Sequence, residues 1–361
     1  VVNKSYKLYR KDLQYNANKY DGPIRLTKSH TKEIRRQGDI LLNYDKTFAQ
    51  KHTVNTLAGF HTELYSYEYD DAYRQNFPSS DVTDMNGGSV VGMRNSGYTR
   101  ELAMNSVFGR LKYNYMDKYL FEANARGDGS SRFAEGNRWG WFPSFSGAWR
   151  VTNEDFIQGT AFNEVVTDMK VRGSWGQLGN TDTNDAWYPF YQTMPVGTAN
   201  GRWLVNGLKP NVAGLPSIVS SLKTWETVET WDVGLDWSLL NNRLTGSFDY
   251  FTRYTYDMIG PAPELPSVLG TTPPKINNSD MKSYGFELEL SWRDRIGDVS
   301  YGAKFVLSDA RQKITRYPNE SRSLDIAHYS GKMLNEIWGY TTVGIAQTQE
   351  EMDAHLANNK P

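Results

Sequence analysis

Cysteine is absent from the 361 residues, which excludes a disulfide framework, a thiolate metal site and a cysteine nucleophile. No run approaches the roughly 18 consecutive apolar residues that a spanning helix needs, so helical membrane insertion is excluded as well. Neither sign of charge is in excess. With 40 basic and 41 acidic side chains, the composition gives no global reason to expect a nucleic-acid partner. The five histidines, His30, His52, His61, His328 and His355, lack metal-ligand spacing, and Gly87-Gly88 lacks the strand-to-helix setting of a phosphate-binding turn. No metal, cofactor or nucleotide is therefore expected. The chain opens on Val1 with neither a Met nor a signal-peptide pattern and reads as processed or truncated.

What the sequence does contain is aromatic. Mean hydropathy is −0.64, yet 14% of residues are aromatic, including 23 Tyr and 11 Trp, the types that favour strands and membrane interfaces. Period-two alternation recurs along the chain. Val107, Gly109, Leu111, Tyr113 and Tyr115 alternate with Phe108, Arg110, Lys112 and Asn114. After the break at Met116-Asp117-Lys118, Tyr119, Phe121, Ala123 and Ala125 alternate with Glu122, Asn124 and Arg126. The same hairpin pattern returns around Asn241-Asn242 and from Arg295 to Asp298. Ile40 to Phe48 and Val54 to Leu64 pair less cleanly across Ala49 to His52. About ten strands of roughly the length of a tilted membrane strand result.

The breaks alternate between tight (49 to 52, 116 to 118, 241 to 242, 295 to 298) and extended (66 to 102, 179 to 224, 257 to 281, 309 to 334). Outer-membrane barrels show this asymmetry, with short periplasmic turns and long extracellular loops. The connection 152 to 168 departs from it by being long on the inferred periplasmic side. Trp141 and Trp149, eight residues apart on one face, would stand near the two edges of an apolar band. The expected fold is all-β: an antiparallel transmembrane β-barrel segment with long extracellular loops and short periplasmic turns. A soluble β-sandwich or solenoid would also collect aromatics on its inner face, but leaves the loop asymmetry unexplained.

Several segments carry a family resemblance. Asn105 to Arg150 reads NSVFGRLKYNYMDKYLFEANARGDGSSRFAEGNRWGWFPSFSGAWR, with DGSSRF at Asp128 to Phe133 and RWGWFPSFS at Arg138 to Ser146. KVRGSWGQLGN spans Lys170 to Asn180, LKTWETVETWDVGLDWSLLNNRLTGSFDYF Leu222 to Phe251, and KSYGFELELSW Lys282 to Trp292. LLNYDKTFAQKHTVNTLAGF, from Leu41 to Phe60, is weaker. In these motifs the chain resembles the SusC/RagA-like TonB-dependent transporters of the Bacteroidetes outer membrane over most of its length. The resemblance implies import of glycans or peptides, usually beneath a SusD-like surface lipoprotein, with a plug domain moved by TonB. No plug, TonB box, N-terminal strands or terminal barrel strand is recognised, so residues 1–361 are expected to be part of a single barrel domain. About ten strands cannot close the circumference of a barrel of about twenty-two, which makes an open curved sheet the expected object. Thr348-Gln349-Glu350-Glu351 fits a capping box opening a helix through about Asn358; residues 335 to 346 read either as a strand returning through the membrane or, as the resemblance implies, as a long extracellular excursion.

Candidate sites follow from the alternation. Arg126, Asp232, Asp236, Glu287 and Glu289 fall on the polar, lumen-facing side. Glu287 with Glu289, and Asp232 with Asp236, share a strand face because the side-chain period is two. Paired carboxylates can perform acid–base chemistry, but without a nucleophile or metal they read as solvated groups lining a wet channel, and no enzyme activity is expected. Loop 179 to 224 offers Trp187, Tyr188, Phe190, Tyr191 and Trp203 as substrate- or lid-contacting residues, with mutual packing as the alternative. Asp182, Asn184 and Asp185 form an oxygen-rich cluster of weak cation-site spacing. The motif Asp128, Gly129, Ser130, Ser131, Arg132 and Phe133 implies a structural role, Asp128 and Arg132 serving as ion pair or loop anchor. Implied partners are the SusD-like lipoprotein, TonB, a glycan or peptide substrate and outer-membrane lipid. The alternatives are a soluble or surface carbohydrate-binding β-protein and a β-rich glycan hydrolase using Glu287 or Glu289.

Overall fold

The computed structural model describes residues 2–9, 23–181, 187–198, 204–262, 266, 268, 270, 273–319, 322, 328–339, 342 and 344–358. Thirteen strands are described: β1 (Val2–Tyr9), β2 (Arg25–Phe48), β3 (His52–Gln75), β4 (Ser89–Tyr115), β5 (Tyr119–Ser130), β6 (Trp139–Arg150), β7 (Val166–Asn180), β8 (Val196–Thr198), β9 (Asn211–Ala213), β10 (Glu226–Leu239), β11 (Leu244–Ile259), β12 (Asn277–Ile296) and β13 (Val299–Arg316). Eleven form one sheet in the order β1-β2-β3-β4-β5-β6-β7-β10-β11-β12-β13, every neighbour antiparallel, while β8 and β9 make a separate ribbon inside the loop after β7. Two short helices, α1 (Ala161–Val165) and α2 (Gln349–Asn358), complete the elements used below. The Glu351 amide donates to Thr348 Oγ1 at 3.3 Å, which caps α2.

Tight turns gather at one end of the sheet. Ala49-Gln50, Met116-Asp117 and Leu240-Asn241-Asn242 all take positive φ, the backbone hand that matches the twist of paired strands in short hairpins. Between β12 and β13 the turn is Gly297-Asp298 alone. The other end carries the connections 76–88, 131–138, 181–225 and 260–276, and the connection 151–165 remains the exception at the tight-turn end.

The register carries the alternation across the whole sheet. Tyr119, Trp149, Val171, Leu235, Phe248, Leu288 and Leu307 stand side by side in one row of paired residues. One face is apolar, and its side chains are uncovered: Val107, Phe121, Phe145, Val171, Val233 and Phe305 are all exposed, Val233 at 60% and Phe305 at 53%. Among the described residues no second layer packs against them, so a sandwich, which would bury this face, is excluded. The same row measures the tilt. Tyr119 opens its strand at the tight-turn end, whereas Leu307 lies eight residues past Val299, where its own strand opens. At about 3.3 Å per residue and about 4.8 Å per strand, that stagger over six strand spacings gives a tilt of roughly 40°, within the range barrel closure demands.

Several elements run further than the sequence reading. Strands β2, β3 and β4 have 24, 24 and 27 residues, and 66–75 and 89–102, expected as loop, are strand. Likewise β13 continues to Arg316 through the start of the expected loop at 309, and β1, not expected from sequence, pairs with β2. The cause is a change of solvent. At the tilt above, 24 residues rise about 60 Å, more than twice the roughly 25 Å apolar band of such barrels. Beyond the band the outward face becomes polar, as with Glu68 and Asp70 on β3 or Arg311 and Lys313 on β13, so apolar alternation no longer marks the strand.

Aromatic rings pack closely at two places along β6, one on each face. On the apolar face, the Trp141 and Trp139 indoles of β6 lie over Gly127 and Gly129 of β5, where an added Cβ would sit 2.9 and 2.8 Å from ring atoms. On the polar face near the loop end, Phe133, Phe142 and Trp225 form a buried cluster against Met104, and Trp225 Nε1 donates to the Arg138 carbonyl at 3.0 Å. That cluster fastens the connections 131–138 and 181–225 to the wall.

Two outcomes are expected. Gly127→Val displaces the Trp141 ring and costs about 1–3 kcal/mol; a lowered temperature for loss of the compact barrel band on unheated gels of the full-length protein checks this. Trp225→Ala costs about 3–5 kcal/mol locally. It is expected to make the two loops sensitive to external protease while the barrel band persists.

Candidate functional site

Above the apolar band the sidedness of the aromatics reverses. By register, Tyr65, Tyr67, Tyr69 and Tyr73 of β3 and Tyr98 of β4 lie on the polar-face side of the wall, the side that carries Ser106 and Arg172 lower down. Tyr67 is paired with Arg100, and Tyr69 with Tyr98. Trp187, from the loop after β7, reaches this surface. Its ring stacks on Tyr65 at 5.6 Å and lies 6.2 Å from Tyr67. Tyr98 stacks against Tyr67 at 5.8 Å and Tyr69 at 5.4 Å.

Arginines interleave with the rings. The Arg100 guanidinium lies 4.4 Å above the Tyr98 ring and 5.5 Å from that of Trp187, and Arg35 lies 5.4 Å above Tyr65. Each sits at cation–π distance, worth about 0.5–2 kcal/mol according to desolvation. Burial pushes the Tyr65 and Tyr98 phenols up, so both remain neutral hydrogen-bonding groups at physiological pH. The surface thus combines flat apolar rings, fixed cations and hydroxyls, a set suited to binding an extended polar chain.

The other loop aromatics behave differently. Tyr188, Phe190 and Tyr191 pack on one another, Phe190 and Tyr191 at 4.5 Å, and Tyr188 also lines a cavity of about 230 Å³ with Ile34, Tyr65, Leu102 and Ser131. Tyr191 stays 61% exposed. Trp203, and the Asp182, Asn184 and Asp185 cluster, lie outside the described residues.

Lower on the polar face the wall is ionic. Arg172 of β7 reaches Asp232 at 3.2 Å, Asp236 at 3.2 Å and Asp249 at 2.6 Å, and Lys170 pairs with Asp236 at 2.7 Å. Lys304 pairs with Glu289 at 2.7 Å, while Glu287 stands opposite Asp249 in register. Lys112 pairs with Glu122 at 3.2 Å, and a cavity of about 420 Å³ is lined by Asn55, Lys112, Glu122, Ser146, Arg172 and Asp232. Glu289 is engaged by a lysine and Asp232 and Asp236 by an arginine, an arrangement that fixes the positions of these carboxylates. Among the described residues no cluster of three metal-ligating side chains occurs.

The motif residues act as a clasp. Asp128, nearly buried, accepts from Arg126 Nε at 2.7 Å, and Arg126 Nη2 donates to Ser106 Oγ at 2.9 Å; Arg126, rather than Arg132, is its partner. Gly129 lies beneath Trp139, as described above. Ser130 Oγ accepts from the Arg132 amide, Ser131 Oγ from the Ala103 amide, and Arg132 Nη1 donates to the Thr181 carbonyl at 2.8 Å. Phe133 enters the buried cluster. Tyr65, Tyr67, Tyr69, Tyr98, Arg100 and Arg172 were not singled out from sequence. The period-two spacing of Tyr65, Tyr67 and Tyr69 carries the signal, at the start of a stretch whose composition is that of a loop.

Comparison with known proteins gives the same assignment from independent ground. The family model described as TonB dependent receptor-like, beta-barrel matches residues 2–348. TonB-dependent receptor P3 of Formosa agariphila is 30% identical over 325 residues, 85% of this chain and 31% of that protein. TonB-dependent receptor SusC of Bacteroides thetaiotaomicron is 31% identical over 214 residues, 57% of this chain and 20% of that protein. The structure of the RagAB peptide transporter superposes with a TM-score of 0.73 at 22% identity, covering 88% of this chain and 34% of that one, which shows the shared fold. The chain spans less than a third of the length of the relatives it matches. An exposed apolar face, a tilted antiparallel meander and a family match over nearly the whole length lead to one conclusion: the chain belongs to the β-barrel family of TonB-dependent receptors of the outer membrane.

Proposed function

We propose that this chain forms wall and loops of a nutrient importer that takes up oligomeric substrates, glycans or peptides, through the outer membrane. In this reading the barrel side is turned to lipid, the polar side to a water-filled interior, and TonB supplies energy through a plug. A SusD-like lipoprotein covers the loop end. The observation that carries the reading is the reversal of the aromatics along β3 and β4. Rings point outward where the wall meets hydrocarbon, and inward, with Arg100 among them, where it stands clear of the membrane. A rigid strand wall bearing stacked rings favours a ligand with repeated flat faces, and the ionised lower wall keeps a hydrated path beneath it. The relatives support the class of process: SusC is a TonB-dependent receptor and RagAB a peptide transporter. Arg126, Asp232, Asp236, Glu287 and Glu289 act here as fixed charges of the lumen wall, and Trp187 as the loop residue that touches substrate. The soluble carbohydrate-binding alternative would leave the exposed apolar face in water, which disfavours it.

Substitution in the full-length receptor tests this. Trp187→Ala and Arg100→Ala are expected to weaken binding of the transported oligomer by about 0.5–2 kcal/mol each, roughly 2- to 30-fold. The barrel band should be unchanged. Uptake assayed across a panel of oligosaccharides and peptides identifies the class that is lost; wild-type binding and uptake of every transported compound by both variants would overturn the assignment.

A further inference from the structure

The connection 151–165 is the long one at the tight-turn end, and transport leaves it without a role. Its first turn is stapled to the outside of the wall. Glu154, only 7% exposed, accepts a hydrogen bond from Trp149 Nε1 at 3.0 Å and pairs with Lys118 at 3.4 Å. The neighbouring Tyr119 phenol and the Trp149 indole hold this carboxylate below the usual range. Trp149 and Tyr119 face each other across β5 and β6 on the apolar side. The chain leaving β6 therefore bends toward the lipid-facing side at the level of the aromatic girdle. Asp155 takes Lys118 Nζ at 2.9 Å. The far end is fixed by the Leu240 amide, which donates to the Val165 carbonyl at 2.8 Å.

Between these anchor points apolar side chains stand uncovered: Phe156 at 67%, Val165 at 48% and Phe162 at 42% exposure. The segment Val151 to Val165 contains Glu154, Asp155 and Glu164 but no Lys or Arg, so its contact with lipid rests on its apolar side chains and not on charge. Aromatic side chains beside an interfacial girdle are at home in the boundary between headgroups and acyl chains. We infer that residues 156–165 lie in the phospholipid leaflet on the tight-turn side, with Phe156 and Phe162 inserted as an interfacial anchor that holds the barrel at a fixed depth. Continuity with the lipid-facing Trp149 and Tyr119 selects lipid over a protein as the occupant.

The chain has no cysteine, so a single introduced cysteine gives a unique label within it. In the full-length receptor, in nanodiscs of phosphatidylethanolamine and phosphatidylglycerol, Phe156→Cys and Phe162→Cys carry a nitroxide. Asp155→Cys, whose side chain is 89% exposed, serves as the aqueous reference and Val171→Cys as the hydrocarbon reference. Accessibility to oxygen is compared with accessibility to a water-soluble nickel chelate. The expected ratio at 156 and 162 falls between the two references. A ratio equal to that at Asp155 places the segment in water, and shielding from both relaxants places it under protein; either overturns the inference.

Discussion

A backbone that crosses hydrocarbon finds no water to satisfy its amides and carbonyls, so each must pair with a neighbouring strand. That requirement accounts for the sheet described here: an antiparallel ladder in which β1 to β7 are followed directly by β10 to β13. Once the ladder exists, the pleat dictates that successive side chains point to opposite faces. Everything else is a matter of which solvent each face meets.

The solvent changes twice. Across the band, lipid lies outside and water inside, and Val171, Val233 and Phe305 project away from Arg172, Asp232 and Lys304. Above the band, water lies outside as well. The outward positions of β3 and β4 become Glu68, Asp70 and Asn95, while Tyr65, Tyr67, Tyr69 and Tyr98 turn to the interior. One strand therefore reads as two consecutive amphipathic segments of opposite hand. Its aromatic content serves membrane anchoring in the lower half and, in the proposed reading, ligand contact in the upper. The ion network about Arg172 follows the same logic. Charges on adjacent strands at the same height neutralise one another, so the polar wall is hydrated without a strong field of one sign.

Where the apolar side met lipid, sequence sufficed: the hairpins around Met116-Asp117, Asn241-Asn242 and Gly297-Asp298 were legible because alternation is strict there and the turns are short. Where water lies on both sides the signal vanished. Residues 66–75 and 89–102 carry acids, amides and tyrosines on alternate positions, which resembles loop composition although the backbone is strand. The site suffered from the same blindness. Trp187 was visible as a loop aromatic, but its partners Tyr65 and Tyr67 are more than a hundred residues away, and only the folded chain brings them together. The clasp of Arg126 on Asp128 was obscured for another reason: period two places residues 126 and 128 on one face, but Arg132 was the more conspicuous cation in the motif.

The central claim, that alternate positions face hydrocarbon and an aqueous interior, is most directly tested along one strand. A cysteine scan from Trp231 to Leu239 of β10 in the full-length receptor, in outer-membrane vesicles, reads reactivity toward a small water-soluble maleimide. The expected result is a period of two, with Asp232, Gly234, Asp236 and Ser238 positions reacting and Trp231, Val233, Leu235 and Trp237 positions protected. Equal reactivity on both sets, or protection of the even set alone, would contradict it.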